Sequence, residues 1–296
     1  MGVTVHPLSD ALGAEIGGVD LGEPLDDGTI QEIHDAWMEH LVLLIRDQTI
    51  DDPQLVAFSG RFGELDGAPI GATPDGKVSA REYNEITVIS NVVENGRPIG
   101  GLGNAESDWH TDMSSYEKPP AASMLYSLEI PPTGGDTSFC NMYRAYEVLP
   151  EDIKARVQDL KAVHDATLTS AGGLRHGFEP VTDVTKTPGA HHPILRTHPV
   201  TGRTALFLGR RTNAYIPGLS VKESEELLDT LWACATAPEN IWTHTWKVGD
   251  LVMWDNRCAM HRRDEFDHSS RRIMHRTQLK GNHPYYAAAE AAPTAA

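Results

Sequence analysis

The sequence predicts a β-sandwich or barrel core decorated with helices, and three observations predict it. From about Glu85 onward, short strand-like runs follow one another: ITVISNVV, AASMLYSLEI, RTALFLG and DLVMWD, separated by Gly, Pro and Asp turns. These runs do not alternate with helices in the βαβ manner of a doubly wound sheet. The chain is long enough to bury a substantial core, with 296 residues of which 40% are hydrophobic and 23% charged.

The elements follow in order. A helix is predicted from about Asp27 to His40, with Ile30, Ile33 and Trp37 on one face. Leu41 to Ile45 is a short apolar run that reads as a buried strand. Asp51-Asp52-Pro53 reads as an N-cap with proline in the first turn; Leu55, Phe58 and Phe62 give that helix its buried stripe. Pro150 to about Leu160 predicts another helix. Ser220 and Glu223 form a capping box ahead of Leu227, Leu228, Leu231 and Trp232. Residues 66–84 and 165–191 are polar and Gly-rich, and longer than ordinary connections. Such stretches serve as lids or binding loops. The expected organisation is one domain over residues 1–286 and a flexible Ala-rich tail over 287–296.

Composition excludes several roles. Lys and Arg total 25 against 42 Asp and Glu, a formal charge of −17. Such a chain lacks the basic face with which nucleic-acid binders displace counterions, and it does not suit anionic lipid. No run approaches the ~20 apolar residues of a membrane span. The first residues carry neither a basic, then apolar, secretory leader nor a hydroxyl residue at position six for myristoylation. Cys140, Cys234 and Cys258 are odd in number and far apart, so they predict free thiols in a reducing compartment and a cytoplasmic protein.

His-x-Asp occurs once, at His110 and Asp112 in Asp108-Trp109-His110-Thr111-Asp112. On an extended strand alternate residues face the same side, so both side chains reach one ion. Alone the pattern is weak. The segment from Gly249 to Gly281 strengthens it. His261 follows a strand and a turn, with Arg272 and Arg276 eleven and fifteen residues later. Arg257 to Lys280 holds seven Lys/Arg against three acids, a basic island in an acidic chain. Two imidazoles, one carboxylate and anion-binding arginines fit the 2-His-1-carboxylate site of non-haem Fe(II), in which three coordination positions stay open.

At these motifs the sequence resembles the TauD/TfdA family of Fe(II)- and 2-oxoglutarate-dependent dioxygenases. The resemblance runs through GAEIGGVDL, FSGRFGELD, WHTD, PPTGGDTSF, MWDNR and RRIMHR, in the family's order and spacing. It implies a double-stranded β-helix, the cupin-like jelly roll, with helical insertions. It implies His110, Asp112 and His261 as iron ligands, and Thr137 and Arg272 on the distal carboxylate of 2-oxoglutarate. Arg276 is implied near the metal-bound end and the substrate's anionic group. Trp254, Asp255 and Asn256 are read as turn and supporting scaffold. The implied reaction consumes O₂ and 2-oxoglutarate, releases succinate and CO₂, and hydroxylates a substrate carbon. Family members are often dimers or tetramers, so a homo-oligomer is expected.

The substrate reading is a small organic acid, an aryloxyalkanoate-like carboxylate whose ether is cleaved. Taurine-type members carry a His in the loop after FG-x-x, and GELDGAPIGATPDG has none. They carry Asn four residues before the first ligand, where this chain has Glu106, whose charge disfavours a sulfonate. LGRRTNAYIPG resembles the 2,4-dichlorophenoxyacetate branch instead. Arg210 or Arg211 is then expected on the substrate carboxylate, with Phe207, Tyr215 and Leu174 lining an aromatic pocket. The alternatives are a sulfonate, taurine-type or alkyl sulfate dioxygenase of the same family, a zinc-binding β-barrel hydrolase, and a non-catalytic 2-oxoglutarate sensor. The last two leave the arginines or the intact triad without a role.

Overall fold

The computed structural model describes residues 2–67, 83–102, 107–169 and 171–288. An eight-stranded sheet runs β1 (Thr4–Pro7), β2 (Ala14–Gly17), β3 (Val42–Ile45), β16 (Leu251–Asp255), β9 (Ala122–Glu129), β18 (Ile273–Leu279), β4 (Thr87–Ser90), β7 (Gly101–Leu102). A four-stranded sheet runs β15 (Ile241–His244), β10 (Thr137–Asn141), β17 (Ala259–Arg263), β8 (Ser107–His110). Only β2–β3 and β4–β7 pair in parallel among the described strands. Beyond β1–β2–β3, sheet neighbours are not consecutive in sequence, which is the crossed connectivity of a jelly roll. Three hairpins lie outside the sheets: β5 (Val93–Glu94) with β6 (Arg97–Pro98), β11 (Lys161–Asp165) with β12 (Gly189–Pro193), and β13 (Leu195–Thr197) with β14 (Thr204–Leu206).

The centre of the eight-stranded sheet is buried on both faces. Val42 and Leu44 of β3, with Val252 and Trp254 of β16, pack against Phe139, Cys140 and Met260 of the smaller sheet. The alternate residues Leu43, Ile45, Leu251 and Met253 pack under the helices. This period of two, with apolar residues on both sides, makes the strands read as continuous apolar runs. Helix α1 (Asp27–His40) starts where the Asp26 carboxylate accepts from Thr29 N–H, and buries Ile30, Ile33 and Trp37. It stops at Leu41, whose φ of 66° leaves the helical region. Helix α2 (Asp52–Ser59) opens with an Asp51–Gln54 capping box. It buries Leu55 and Phe58, while Phe62 lies beyond its last residue, edge-on to Phe58. Helices α3 (Met142–Glu147) and α4 (Glu151–Val157) are short; α4 ends three residues before the expected Leu160. Helix α5 (Val221–Ala235) has the expected Ser220–Glu223 box and buried leucines.

The stretch 165–191 carries its own structure. Asp165 accepts from the Thr167 and Leu168 N–H groups, and Arg175 N–H closes a hairpin on Thr167 O. At Gly189 (φ 151°) a Cβ would sit 1.8 Å from His164 O, so only glycine fits. Most of the stretch 66–84, residues 68–82, lies outside the described residues, as does the tail from 289. Ala287, where the tail was expected to begin, donates its N–H to Thr197 Oγ1.

Three buried histidines lie beside this core. His164 is 1% exposed, and among the described residues neither ring nitrogen has a hydrogen-bond partner. Burial pushes His164 well below the ordinary imidazole range and lowers His192 and His198. Once unfolded, each takes up a proton below about pH 6.5. The unfolded state then binds more protons, so their contribution is fully present above that pH and is lost as pH falls toward the folded values. Denaturant midpoints of the metal-free chain are expected to fall steadily from pH 7 to pH 5. The decline should be shallower in His164→Phe; an equal slope in that variant counts against this account.

Candidate active site

Strands β8 and β17 pair so that His110 stands opposite His261, ring centroids 4.2 Å apart. His110 is the last residue of β8. The chain leaves the strand at Thr111, so Asp112 sits in the following turn rather than two places along a strand. It reaches the same point because Asn256 grips its backbone. Asp112 N–H donates to Asn256 Oδ1 (2.9 Å), and Asn256 Nδ2 donates to Asp112 O (3.0 Å) and Pro120 O (2.9 Å).

The Asp112 carboxylate is divided between two tasks. Oδ2 accepts from Ser123 Oγ (2.9 Å), Arg276 Nη1 (3.2 Å) and Gln278 Nε2 (3.3 Å). Oδ1 lies 3.6 Å from His110 Nε2 and 3.9 Å from His261 Nε2; Arg276 Nη1 also reaches it at 3.4 Å. Burial favours the neutral acid, but Arg276 and then the two imidazoles outweigh it and hold the group well below the usual carboxylate range. On β18, Arg276 and Gln278 share one face. The other face turns His275 to Asp52 and Thr277 to Ser59 of α2. The site is thus fastened to the helical layer through a single strand.

Both imidazoles are oriented. His110 Nδ1 faces the Asp108 carbonyl at 2.7 Å; a carbonyl only accepts, so Nδ1 carries the proton and Nε2 presents its lone pair. The His261 ring is wedged between Trp254 (4.8 Å) and Phe139 (6.0 Å, stacked). Burial, reinforced by His110, lowers His261 to about 3, so it is neutral and able to ligate. The three facing ligand atoms lie within 4.8 Å of one another, which fits one divalent ion.

A cavity of about 190 Å³ is lined by the loop Ile130–Asp136, Thr245, Trp246 and Arg272. Arg272 is 2% exposed and its Nε has no partner among the described residues. Burial, with Arg263 nearby, lowers it to about 9. Gly134 and Gly135 have φ near 75°, and a Cβ on Gly135 would crowd Pro131 and Phe266 at 3.3–3.4 Å. Thr137 Oγ1 accepts from Trp246 Nε1 (3.0 Å), which leaves its own hydroxyl proton to give. A buried cation lining a partly polar cavity fits a carboxylate ligand.

A second group, His198, Asp255 and Cys258, is also close enough for a metal, but its atoms are already engaged. His198 Nδ1 accepts from the Val200 and Thr201 N–H groups and its other nitrogen donates to Asp255 Oδ2; Arg257 takes both Asp255 oxygens. Burial pushes the Cys258 thiol far up. The cluster is scaffold for the turn that carries Asn256.

The expected substrate residues separate. Arg211 is taken by Glu225 and Asp229 of α5. Phe207 is 2% exposed and stacks between His164 and the Arg196 guanidinium. The Tyr215 hydroxyl donates to Leu219 O. Leu174 is 45% exposed on the 167–175 hairpin. Glu106 lies outside the described residues. Arg210 alone lies in the electrostatic field of Asp112 and His261. Sequence reasoning missed Ser123, Gln278, Trp246 and Asn91, whose Oδ1 accepts from Arg272 N–H (3.0 Å). Gln278 carried a signal, since it lies two residues after Arg276 on a strand.

A jelly roll that carries a His-Asp-His centre beside a buried arginine is the architecture of non-haem iron dioxygenases that use 2-oxoglutarate. The chain belongs to the taurine catabolism dioxygenase TauD, TfdA family, whose model matches residues 4–278. It is thus a 2-oxoglutarate-dependent dioxygenase with Fe(II) as cofactor. It is 38% identical to the alpha-ketoglutarate-dependent 2,4-dichlorophenoxyacetate dioxygenase of Cupriavidus pinatubonensis, over 93% of this chain and 97% of that protein. It is 32% identical to the alpha-ketoglutarate-dependent sulfate ester dioxygenase of Pseudomonas putida, over 95% of this chain and 90% of that one. The crystal structure of AAD-2 in complex with Mn(II) and N-oxalylglycine aligns with a TM-score of 0.77 at 34% identity, covering 96% and 99% of the two chains. Among the described residues no helix is long and apolar enough to cross a membrane.

Asn256→Ala frees the backbone that sets Asp112. Loss of such support costs about 10–100-fold in metal affinity, and Mn(II) binding by calorimetry should weaken by that factor while the circular dichroism spectrum is retained. Unchanged affinity would remove Asn256 from the support of the site.

Proposed function

We propose that the enzyme hydroxylates a small organic acid, an aryloxyalkanoate-like carboxylate, and thereby cleaves its ether. In this reading His110, Asp112 and His261 would hold Fe(II), and Thr137 and Arg272 would hold the distal carboxylate of 2-oxoglutarate. The iron with 2-oxoglutarate and O₂ supplies the oxidation of a substrate C–H bond to C–OH, with succinate and CO₂ released. Arg276 keeps Asp112 ionised and in place next to the bound keto acid. When the hydroxylated carbon bears an aryl ether oxygen, the product is a hemiacetal. It collapses to a phenol and an oxo-acid, the hydroxyl proton passing to the departing oxygen.

The observation that carries the reading is Arg272, buried against the cavity under Trp246 with its Nε unpartnered among the described residues. A zinc hydrolase has no use for it, and a non-catalytic sensor has none for three ligands. The aryloxyalkanoate is supported by likeness to the dichlorophenoxyacetate enzyme across nearly the whole chain. The sulfate ester relative favours a second reading, an alkyl sulfate or taurine-type sulfonate substrate. We also propose one domain over 1–286 with an Ala-rich tail, assembled as a cytoplasmic homo-oligomer.

Anaerobic addition of Fe(II) and 2-oxoglutarate is expected to give a weak visible charge-transfer band; its absence from folded protein defeats the proposed site. Succinate release should then follow phenoxyacetates or phenoxypropionates, and a response to sulfonates or alkyl sulfates alone overturns the substrate. Arg272→Gln removes charge-assisted hydrogen bonds worth roughly 1.5–3 kcal/mol. The KM for 2-oxoglutarate should rise about 10–100-fold and that for the organic acid far less. The opposite split would reassign Arg272 to the substrate.

A further inference from the structure

A carboxylate can meet a metal ion through one oxygen or through both. The choice matters in a centre of two imidazoles and one carboxylate. With one oxygen bound, three positions of an octahedral ion stay open; with both bound, two do. A chelating keto acid fills two and O₂ needs one more, so the reaction requires Asp112 to bind through a single oxygen. Something in the chain must therefore tell its two oxygens apart.

Arg276 does not. Its Nη1 lies 3.2 Å from Oδ2 and 3.4 Å from Oδ1, so it neutralises the group without choosing an oxygen. Ser123 and Gln278 do choose. Both donate to Oδ2, at 2.9 and 3.3 Å, and neither donates to Oδ1. They also fix each other's protons. The two residues stand opposite one another in the β9–β18 ladder, and both are buried. A carboxylate only accepts, so the end of the Gln278 amide that faces Asp112 is its NH₂ group. The same nitrogen donates to Ser123 Oγ at 3.0 Å. Ser123 accepts that bond and sends its single hydroxyl proton to Oδ2. The order runs from Gln278 to Ser123 to Asp112, and an ionised Asp112 cannot reverse it.

The sheet itself has no need of this pair. Ser123 stands between Trp254 of β16 and Gln278 of β18, and its strand neighbours Ala122, Met124 and Leu125 belong to the core. Replacing two facing buried polar groups by apolar ones of similar shape is close to neutral for a fold. Oδ2, with three donors upon it, has no lone pair left for an ion, whereas Oδ1 faces His110 Nε2 and His261 Nε2 at 3.6 and 3.9 Å. We infer that Ser123 and Gln278 are positioning residues that hold Asp112 to one-oxygen coordination and so keep a position on the ion open for the reaction. They act through Asp112 and touch neither substrate nor ion. The inference rests on the metal site in the function proposed above and assigns the residues that set its number of open positions.

The test counts the exchangeable water on Mn(II) bound to the full chain, from the relaxation of water protons, with calorimetry alongside. Ser123→Ala removes the hydroxyl and lets Oδ2 turn to the ion, so the hydration should drop by one water per Mn(II). Affinity for Mn(II) should stay within about threefold, because the second oxygen replaces that water, where loss of support alone costs about 10–100-fold. Added 2-oxoglutarate should leave exchangeable water on the wild-type ion and none in Ser123→Ala. Gln278→Met leaves the Ser123 proton free to turn away and should show part of the same drop; should Ser123→Ala lose its circular dichroism spectrum, Gln278→Met decides alone. Unchanged hydration in the folded variants overturns the inference. So does a 10–100-fold loss of affinity with hydration retained, which marks the pair as ordinary support for a buried charge. Wild-type protein that fails to bind Mn(II) defeats the metal site itself.

Discussion

The rest of the site depends on the burial of one ionised carboxylate. Asp112 is 5% exposed, and a buried charge is tolerated only when paired and hydrogen-bonded. Its neighbours meet that demand asymmetrically. Ser123, Gln278 and Arg276 converge on Oδ2, from β9 and β18 of the larger sheet. The smaller sheet presents His110 and His261 to Oδ1. The carboxylate thus sits at the seam between the two sheets, and its orientation fixes their relative placement around the centre. Asn256, from the turn between β16 and β17, ties the same residue to the chain by its backbone.

An acidic net charge is no obstacle to binding a dianion. Net charge governs solubility and long-range steering, whereas binding is decided by the few groups with no partner of their own. Among the described residues Arg272 is held without a carboxylate, in a chain that has acids in excess. Filling that site from within with Asp or Glu would stabilise the apo fold and close it to ligand. In the reading proposed above, the unpartnered nitrogen of Arg272 is retained for binding, and it points to function more sharply than the local excess of basic residues.

Much of this was legible in the sequence. The caps at Asp51 and Ser220 and the apolar spacing of α1 and α5 are local signals, and the structure places helices where they point. The triad was legible through motif order, although the reason for its geometry was not. An unbroken strand through His110 and Asp112 was expected. The observed turn works because Asn256, 144 positions away in sequence, holds it. Arg210 and Arg211 look equivalent in LGRRTN. They differ because α5, packed alongside, offers Glu225 and Asp229 to Arg211. Such selection between neighbours needs a tertiary partner and leaves no mark on the local pattern. Ser123 looks like an interruption in an apolar strand until Gln278, its partner in the β9–β18 ladder, is seen beside it.

The same comparison shows what makes a polar residue in this core functional. The His198–Asp255–Arg257 cluster is as buried as the metal centre and contains the same residue types. Yet Asp255 gives both oxygens to Arg257 and His198, and both His198 nitrogens are engaged. Asp112 instead turns Oδ1 toward His110 Nε2 and His261 Nε2 at 3.6 and 3.9 Å, with only a long contact from Arg276 Nη1 at 3.4 Å. A closed network of this kind stabilises a turn, and an open one of the same composition retains affinity for an ion. The difference lies in one hydrogen bond per residue: His110 is fixed through the nitrogen remote from the site, whereas His198 spends both. Composition and burial therefore do not separate the two clusters; the direction in which each leaves a lone pair does.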